Sequence, residues 1–155
     1  MSAVARAALA ALGRDLGGVA APRKRALADP AALAIRWEEL ALVPGWLRQD
    51  EAARDTLARR VAALALADEL ARSIDGAWLG ALAEVAGSAA IDHAIAHADT
   101  GLPQCAWVAA DALAPLGHAI LRRSLAPGLR TILPPASDTP LALTAGEARQ
   151  LVAAA

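Results

Sequence analysis

The segment from Asp50 to Ile74, DEAARDTLARRVAALALADELARSI, constrains the fold more than any other part of the chain. It is rich in helix formers, and its larger apolar side chains fall on two lines at helical spacing: Leu57, Val61 and Leu64, and Leu66, Leu70 and Ile74. A surface helix buries one apolar stripe, so two lines require neighbours on two sides. We therefore predict one long helix, capped by Asp50, at the centre of a helical bundle.

The composition favours an all-α fold. Hydrophobic residues make up 57% of the chain but aromatic residues only 3%, so the core must be built mainly from Leu, Ala, Val and Ile. Ala and Leu are strong helix formers, whereas the residues that favour strands are scarce. At 155 residues the chain suits one domain. We predict a single compact bundle of about six helices, followed by a Pro-rich linker and a short C-terminal helix.

Two helices are predicted before the long one. The first covers Ala3 to Leu16 and ends at Gly17-Gly18. The second begins at Asp29-Pro30, since Asp is a good N-cap and Pro is tolerated at the first helical position. Trp37 lies on its apolar face and is predicted to be a core residue. The sequence Val43-Pro44-Gly45 then predicts a tight elbow.

Two shorter helices are predicted after the long one. Asp75-Gly76 begins a helix that buries Trp78, Leu82 and Val85, and Gly87 ends it. Ser88 is predicted to cap the next helix, which runs through Ala98. Its inward residues are predicted to be Ile91 and Ile95.

The C-terminal third predicts a kinked helix, a linker and a final helix. We expect a helix over about residues 104–126, with a kink or break near Pro115. Prolines and small polar residues then predict a linker, and Thr144-Ala-Gly-Glu147 has the pattern of a capping box. The predicted organisation is a helical bundle at 1–126, a linker at 127–143 and a C-terminal helix at 144–155.

Charge and cysteine content narrow the class of protein. Lys and Arg number 15 against 16 Asp and Glu, so there is no general basic field for a nucleic acid. The basic run Arg23-Lys24-Arg25 lies in a connector and is interpreted as a solvated loop. The single cysteine excludes an internal disulfide, and no signal peptide or long uncharged apolar span is recognisable. These features predict a soluble cytoplasmic protein that does not bind nucleic acid.

The best candidates for metal or catalytic chemistry are His93, His97 and Cys105. Histidines four residues apart share a helix face, but position 94 is Ala, so the His-Glu-x-x-His pattern of metalloproteases is absent. A third ligand would have to come from Asp92, Asp99, Cys105 or His118. We predict no enzyme activity and no cofactor. A small ligand-binding or metal-binding protein, or an enzyme that uses these three residues, is the alternative.

One group of motifs carries a family resemblance. Trp46-Leu47 follows a Pro elbow and precedes the long helix; the sequence DGAWLGALAEVAG then covers 75–87 and leads into AIDHAIAHA. This order resembles the type III secretion accessory family called SctK or YscK over about residues 30–126. The family has His-Pro-Ser-Trp-Leu at the elbow, where this chain has Val-Pro-Gly-Trp-Leu.

The resemblance implies a non-enzymatic cytosolic adaptor without a cofactor. Such an adaptor bridges the inner-membrane ring component SctD and the SctQ pod of the sorting platform. Exposed apolar side chains would carry the contacts with these protein partners. The residues that we predict for this role are Trp46, Leu47, Leu151 and Val152.

Overall fold

A computed structural model describes residues 35, 37–102, 105, 107–133 and 142–155. The described residues contain helices and no strand, so the prediction of an all-α fold is confirmed. The α-helices are α1 (Trp37–Leu40), α2 (Glu51–Ala65), α3 (Ala67–Arg72), α4 (Gly76–Ala86), α5 (Ser88–Ala96), α6 (Leu113–Ser124) and α7 (Ala145–Ala154). Short 3₁₀ helices occur at Gly45–Arg48, Ala98–Thr100, Ala110–Ala112 and Pro127–Ile132.

The chain divides into two units. The first comprises Met1–Asp50 and Leu125–Pro135, and the second comprises Glu51–Ser124 and Ala136–Ala155. The predicted first helix, the Asp29-Pro30 helix start, the basic run at 23–25 and the side chain of Trp37 lie outside the described residues. The predicted domain boundaries at 126 and 143 stay predictions, because residues 134–141 are also outside the described part.

In the first unit, the beginning of the predicted linker is helical. Pro127–Ile132 forms a 3₁₀ helix with Pro at its start, and Leu129 is buried. The backbone N–H of Gly128 donates to Oε1 of Glu39 at 3.3 Å. A Cβ at Gly128 would overlap the Glu39 carboxylate, so glycine permits this close approach. Residues 127–132 are therefore a packed part of the protein rather than a free connector.

In the second unit, α2 is enclosed along its C-terminal half. The last five residues of α2, Val61–Ala65, are all buried. Successive helical residues are separated by about 100°, so five buried neighbours cover the full circumference. The surrounding elements are α5, α6 and α7, with a smaller contact to α4. The central position predicted for this segment is confirmed for its C-terminal half, while the N-terminal half has exposed residues such as Glu51 and Thr56.

The predicted continuous helix is broken at Leu66. The backbone N–H of Leu102 donates to the carbonyl oxygen of Ala65 at 2.9 Å, where α2 ends. An outside group that enters the carbonyl ladder is an established cause of a helix break. The residue before Leu102 is Gly101, and a Cβ there would overlap the backbone N of Asp68. The prediction of one helix from Asp50 to Ile74 is thus wrong at Leu66.

The end of the predicted long helix is wrong as well. α3 ends at Arg72, and Ser73 has an extended backbone conformation. Ile74, which we predicted to be on a buried line with Leu66 and Leu70, is fully exposed, whereas those two leucines are buried. Because the helix ends at Arg72, Ile74 is no longer on the same helical face as Leu66 and Leu70 and does not reach the core.

Helix α4 follows its sequence signals closely. Oδ1 of Asp75 accepts the backbone N–H of Trp78 at 3.0 Å, so Asp75 is the N-cap. Trp78 and Leu82 are buried, while Val85 is half-buried. Gly87 ends the helix with a φ of 88°, a conformation that favours glycine.

Among the described residues, no single helix is long and apolar enough to cross a bilayer. Helices α4 and α5 meet the length and apolarity criteria only when they are taken together, and the angle between them is 116°.

Helix α5 departs from three predictions. Its N-cap is Gly87, and Ser88 is the first helical residue, with no capping bond to its hydroxyl. The helix ends at Ala96 instead of Ala98. Ile91 is buried, but Ile95 is exposed, because the buried side of α5 continues through Ala94 at a step of three residues.

Helix α6 begins nine residues later than predicted. It starts at Leu113, so Pro115 lies in its first turn, where the missing N–H removes no intrahelical bond. The predicted kink near Pro115 is therefore wrong. Gly117 lies against the backbone of Ala58 in α2, and a Cβ at Gly117 would overlap the Ala58 carbonyl oxygen. This glycine lets α2 and α6 approach closely.

The capping box of the final helix is confirmed. The Thr144 hydroxyl oxygen accepts the backbone N–H of Glu147 at 3.2 Å, and Oε2 of Glu147 accepts the backbone N–H of Thr144 at 2.8 Å. α7 packs against α6 and α2. Nε of Arg123 donates to the Leu143 carbonyl oxygen at 2.7 Å and fixes the approach to α7. The C-terminal helix is thus docked on its own unit.

Candidate functional site

The residues predicted to contact partners are mainly interior. Trp46 is 9% exposed, and Leu47 and Leu151 are buried, while Val152 is half-buried. The 3₁₀ turn Gly45–Arg48 turns two consecutive apolar side chains inward. In α7, the buried side contains Ala148 and Leu151. The expectation that Trp46 is exposed is therefore wrong, because the elbow belongs to a packed turn.

His93 in α5 and His97, the C-cap of that helix, lie together, and each ring is hydrogen-bonded to a backbone carbonyl oxygen. Their ring centroids are 4.3 Å apart, with an angle of 42° between the planes. Nε2 of His93 lies 3.1 Å from the carbonyl oxygen of Ala154, and Nδ1 of His97 lies 2.8 Å from the carbonyl oxygen of His93. A carbonyl only accepts, so we assign the proton to the ring nitrogen in each pair. His93 therefore connects α5 to the end of α7.

The predicted third ligands do not complete a metal site. Nε2 of His118 lies 2.7 Å from Oδ1 of Asp55, which joins α6 to α2. Burial raises the pKa of the Cys105 thiol, which keeps it protonated and weakens it as a nucleophile or ligand. Across the described parts of the chain, no group of three or more His, Cys, Asp or Glu side chains could hold a metal ion.

Two of the four large apolar side chains that are exposed in the described residues, Ile74 and Trp107, lie next to α4 in sequence or in contact, and they are a different candidate site. Ile74, just before α4, is fully exposed, and Trp107 is 60% exposed. The centroid of the Trp107 ring is 6.4 Å from that of Trp78, at an interplanar angle of 31°. The indole N–H of Trp78 donates to the carbonyl oxygen of Val108 at 2.7 Å. The backbone next to Trp107 is therefore fixed to α4.

Helix α4 itself exposes a row of small residues. The exposed residues of the helix include Gly76, Ala77, Gly80 and Ala81. A Cβ at Gly76 or Gly80 would meet no other atom within 4 Å. We use the name α4 surface for the exposed set Ile74, Gly76, Ala77, Gly80, Ala81 and Trp107. It includes two large apolar side chains and four helical positions with little or no side chain.

The sequence did not identify the α4 surface. The sequence predicts Trp107 within a helix over 104–126 and Ile74 within the long helix. Both residues are exposed because each of those helices is shorter than predicted. One weak signal is the poor helical surroundings of Trp107: its neighbours at four-residue spacing are Pro103 and Asp111, and its only apolar neighbour at three-residue spacing is the small Ala110.

Comparison of the chain with protein-family models, curated proteins and solved structures gives no significant match.

Proposed function

We propose that this protein is a non-enzymatic adaptor that binds a protein partner through the α4 surface. The observation that carries the proposal is the exposure of Trp107 and Ile74 on one unit. Large exposed apolar groups are typical of interaction sites, and tryptophan is among the residues that contribute most to binding energy. Burial of a tryptophan by a partner removes a large apolar area from water.

The surroundings of Trp107 support a role as an anchor. Its ring contacts that of Trp78, and the hydrogen bond from Trp78 to Val108 holds the next residue. A side chain on a fixed backbone loses less conformational entropy on binding than one on a free loop. Trp107 is thus suited to insert into a pocket of a partner.

The finer proposal is a cytoplasmic adaptor of a type III secretion sorting platform. It would bridge the inner-membrane ring component SctD and the SctQ pod. The support is the resemblance to SctK or YscK, carried by Trp46-Leu47 after the Pro44 elbow and by the sequence of α4. In this chain Trp46 and Leu47 are buried, so they would support the fold, and the α4 surface would contact a partner.

A binding measurement tests both levels of the proposal. The full chain is titrated with purified SctD cytosolic domain and with purified SctQ from the same genome, and the heat of binding is recorded. We expect Trp107→Ala to weaken binding of one partner about ten-fold or more, as for a central interface residue. Circular dichroism verifies that the variant is folded.

Leu42→Ala is the matched control. Leu42 is 67% exposed but belongs to the other unit, so its loss should leave binding unchanged. If neither SctD nor SctQ binds the unsubstituted chain, the secretion adaptor is wrong. If a partner binds and Trp107→Ala has no effect, the assignment of the α4 surface is wrong.

A further inference from the structure

The charges of this chain are unevenly distributed. No Lys or Arg occurs between Arg72 and Arg122. That interval contains five acidic residues, all of them exposed: Asp75, Glu84, Asp92, Asp99 and Asp111. The total charge of the chain is only −1, so the basic residues that balance them lie elsewhere. The interval includes the whole α4 surface.

Three of these acidic residues border the α4 surface. Asp75 caps α4, Glu84 lies on its exposed side, and Asp111 lies in the 3₁₀ helix Ala110–Ala112, which packs against α4. None of the three has an ion pair with Lys or Arg in the described part of the chain. Glu84 and Asp111 are exposed and can pair with an incoming group, while Oδ1 of Asp75 already accepts the backbone N–H of Trp78.

The basic residues nearest in sequence to the α4 surface are either in an ion pair or at the far end of α6. The Arg72 guanidinium, two residues before Ile74, lies 2.6 Å from the Asp68 carboxylate. Arg122 and Arg123 lie in the last turn of α6, whereas the first turn of α6 follows directly after Ala110–Ala112. At about 1.5 Å per residue, nine residues of helix place Arg122 about 14 Å from Leu113. The part of the sequence that contains the α4 surface therefore contributes exposed acidic side chains and no Lys or Arg.

Granting the proposed adaptor function, we infer that the partner segment bound at the α4 surface is a basic amphipathic helix. Gly76, Ala77, Gly80 and Ala81 have little or no side chain, so a partner helix could lie against α4 at the short end of the usual distance between helix axes, about 8 Å. Its apolar side would cover Ile74 and Trp107. Its Lys or Arg residues would lie beside the acidic border, as electrostatic complementarity at interfaces requires.

A pair of designed peptides tests the inference. One is an amphipathic helix of Leu and Lys, about four turns long, with a fluorescent label; the other has Glu in place of every Lys. Binding to the full chain is measured by fluorescence anisotropy at low and high salt. We expect the Lys peptide to bind, the Glu peptide not to bind, and added salt to weaken the binding of the Lys peptide.

Three variants locate the binding site. Trp107→Ala and the double variant Glu84→Lys/Asp111→Lys should each weaken binding of the Lys peptide about ten-fold. The matched control is Glu38→Lys/Glu51→Lys, which makes the same charge change at two exposed residues remote in sequence from the α4 surface. This control should retain most of the affinity.

The remaining outcomes overturn the inference. Equal binding of both peptides, or an equal loss in the control and in the Glu84/Asp111 variant, would mean that the α4 surface has no preference for a basic helix. Self-association of the chain that is abolished by Trp107→Ala would make a second copy the occupant. Binding of SctD or SctQ that depends on Trp107 but not on Glu84 and Asp111 would retain the adaptor and reject the basic partner.

Discussion

The C-terminal half of α2 and the helix α4 have similar compositions but very different surroundings. Both consist mainly of Ala, Leu and Val, with Gly and Trp added in α4. Val61–Ala65 is buried on all sides by α5, α6 and α7. α4 contacts α5 most extensively, Ala110–Ala112 and α2 less, and α6 least, and one side of it stays exposed. Apolar composition indicates that a segment can be enclosed, but topology decides whether the chain itself encloses it.

The largest expected difference is between Leu64 and Ile74. Leu64→Ala removes a buried side chain of α2 and should reduce the free energy of unfolding by about 2–5 kcal/mol. Ile74→Ala removes an exposed one beside α4 and should change it by less than about 0.5 kcal/mol. Urea unfolding followed by circular dichroism measures both. Equal losses of unfolding free energy would contradict the contrast between the enclosed part of α2 and the exposed surface beside α4.

A second test replaces two glycines by alanine: Gly117, which has no room for a Cβ, and Gly80, which has room for one. Gly117→Ala places a Cβ against the Ala58 carbonyl and should destabilise the protein by about 1–3 kcal/mol. Gly80→Ala meets no atom within 4 Å and should stabilise it by about 0.5–1 kcal/mol, since alanine has the higher helix propensity. Thermal unfolding of the two variants shows whether each substitution raises or lowers the stability. If both lower it, α4 is covered at Gly80; if both raise it, α2 and α6 can separate to admit the added Cβ.

A third test removes the capping box of α7, one of the helices that enclose α2. Thr144→Ala removes the hydroxyl that accepts the Glu147 N–H and should reduce the free energy of unfolding by about 1 kcal/mol. Hydrogen exchange should increase in α7. Thr56→Ala, at an exposed position of α2, is the control and should change stability by less than about 0.5 kcal/mol. An equal effect of the two substitutions would show that the box does not stabilise the docked helix.

The smallest expected effect is a change in pH dependence. Hydrogen bonds from the Thr144 hydroxyl and backbone N–H lower the pKa of the Glu147 carboxyl in the folded protein. The stabilisation is therefore complete above the ordinary Glu pKa of the unfolded chain, and it is lost as the pH falls through the lowered folded pKa. Glu147→Gln keeps an acceptor oxygen but cannot titrate, so stability should fall less steeply in acid. An unchanged acid slope of the melting temperature would contradict this assignment.

Three of the signals that act within a few residues were predictive, although the Ser88 cap and the kink at Pro115 were not. The Asp75 cap and the Thr144–Glu147 box are each formed by two residues three positions apart in the sequence. The end of α4 depends on the backbone conformation of one residue, Gly87. The all-α class follows from residue propensities summed over the chain. These parts of the fold could be derived from the sequence because no distant partner is needed to form them.

Features set by distant contacts could not be predicted. The helix expected over 104–126 does not include Val108, whose carbonyl accepts the Trp78 indole N–H, or Ala109, whose backbone is extended. That contact decides the exposure of Trp107 and therefore the α4 surface. The orientation of Ile95 likewise depends on which side of α5 its neighbours cover.

The hydrogen bond from Leu102 to Ala65 has a consequence for any fragment of this protein. Within residues 50–74 alone, the Ala65 carbonyl has no outside donor and is free to accept the N–H of Glu69, four residues on. The excised segment would then be a more regular helix than it is in the whole protein. Transplanting it into another scaffold would transfer the helix without its break, because the group that breaks it is the backbone N–H of Leu102.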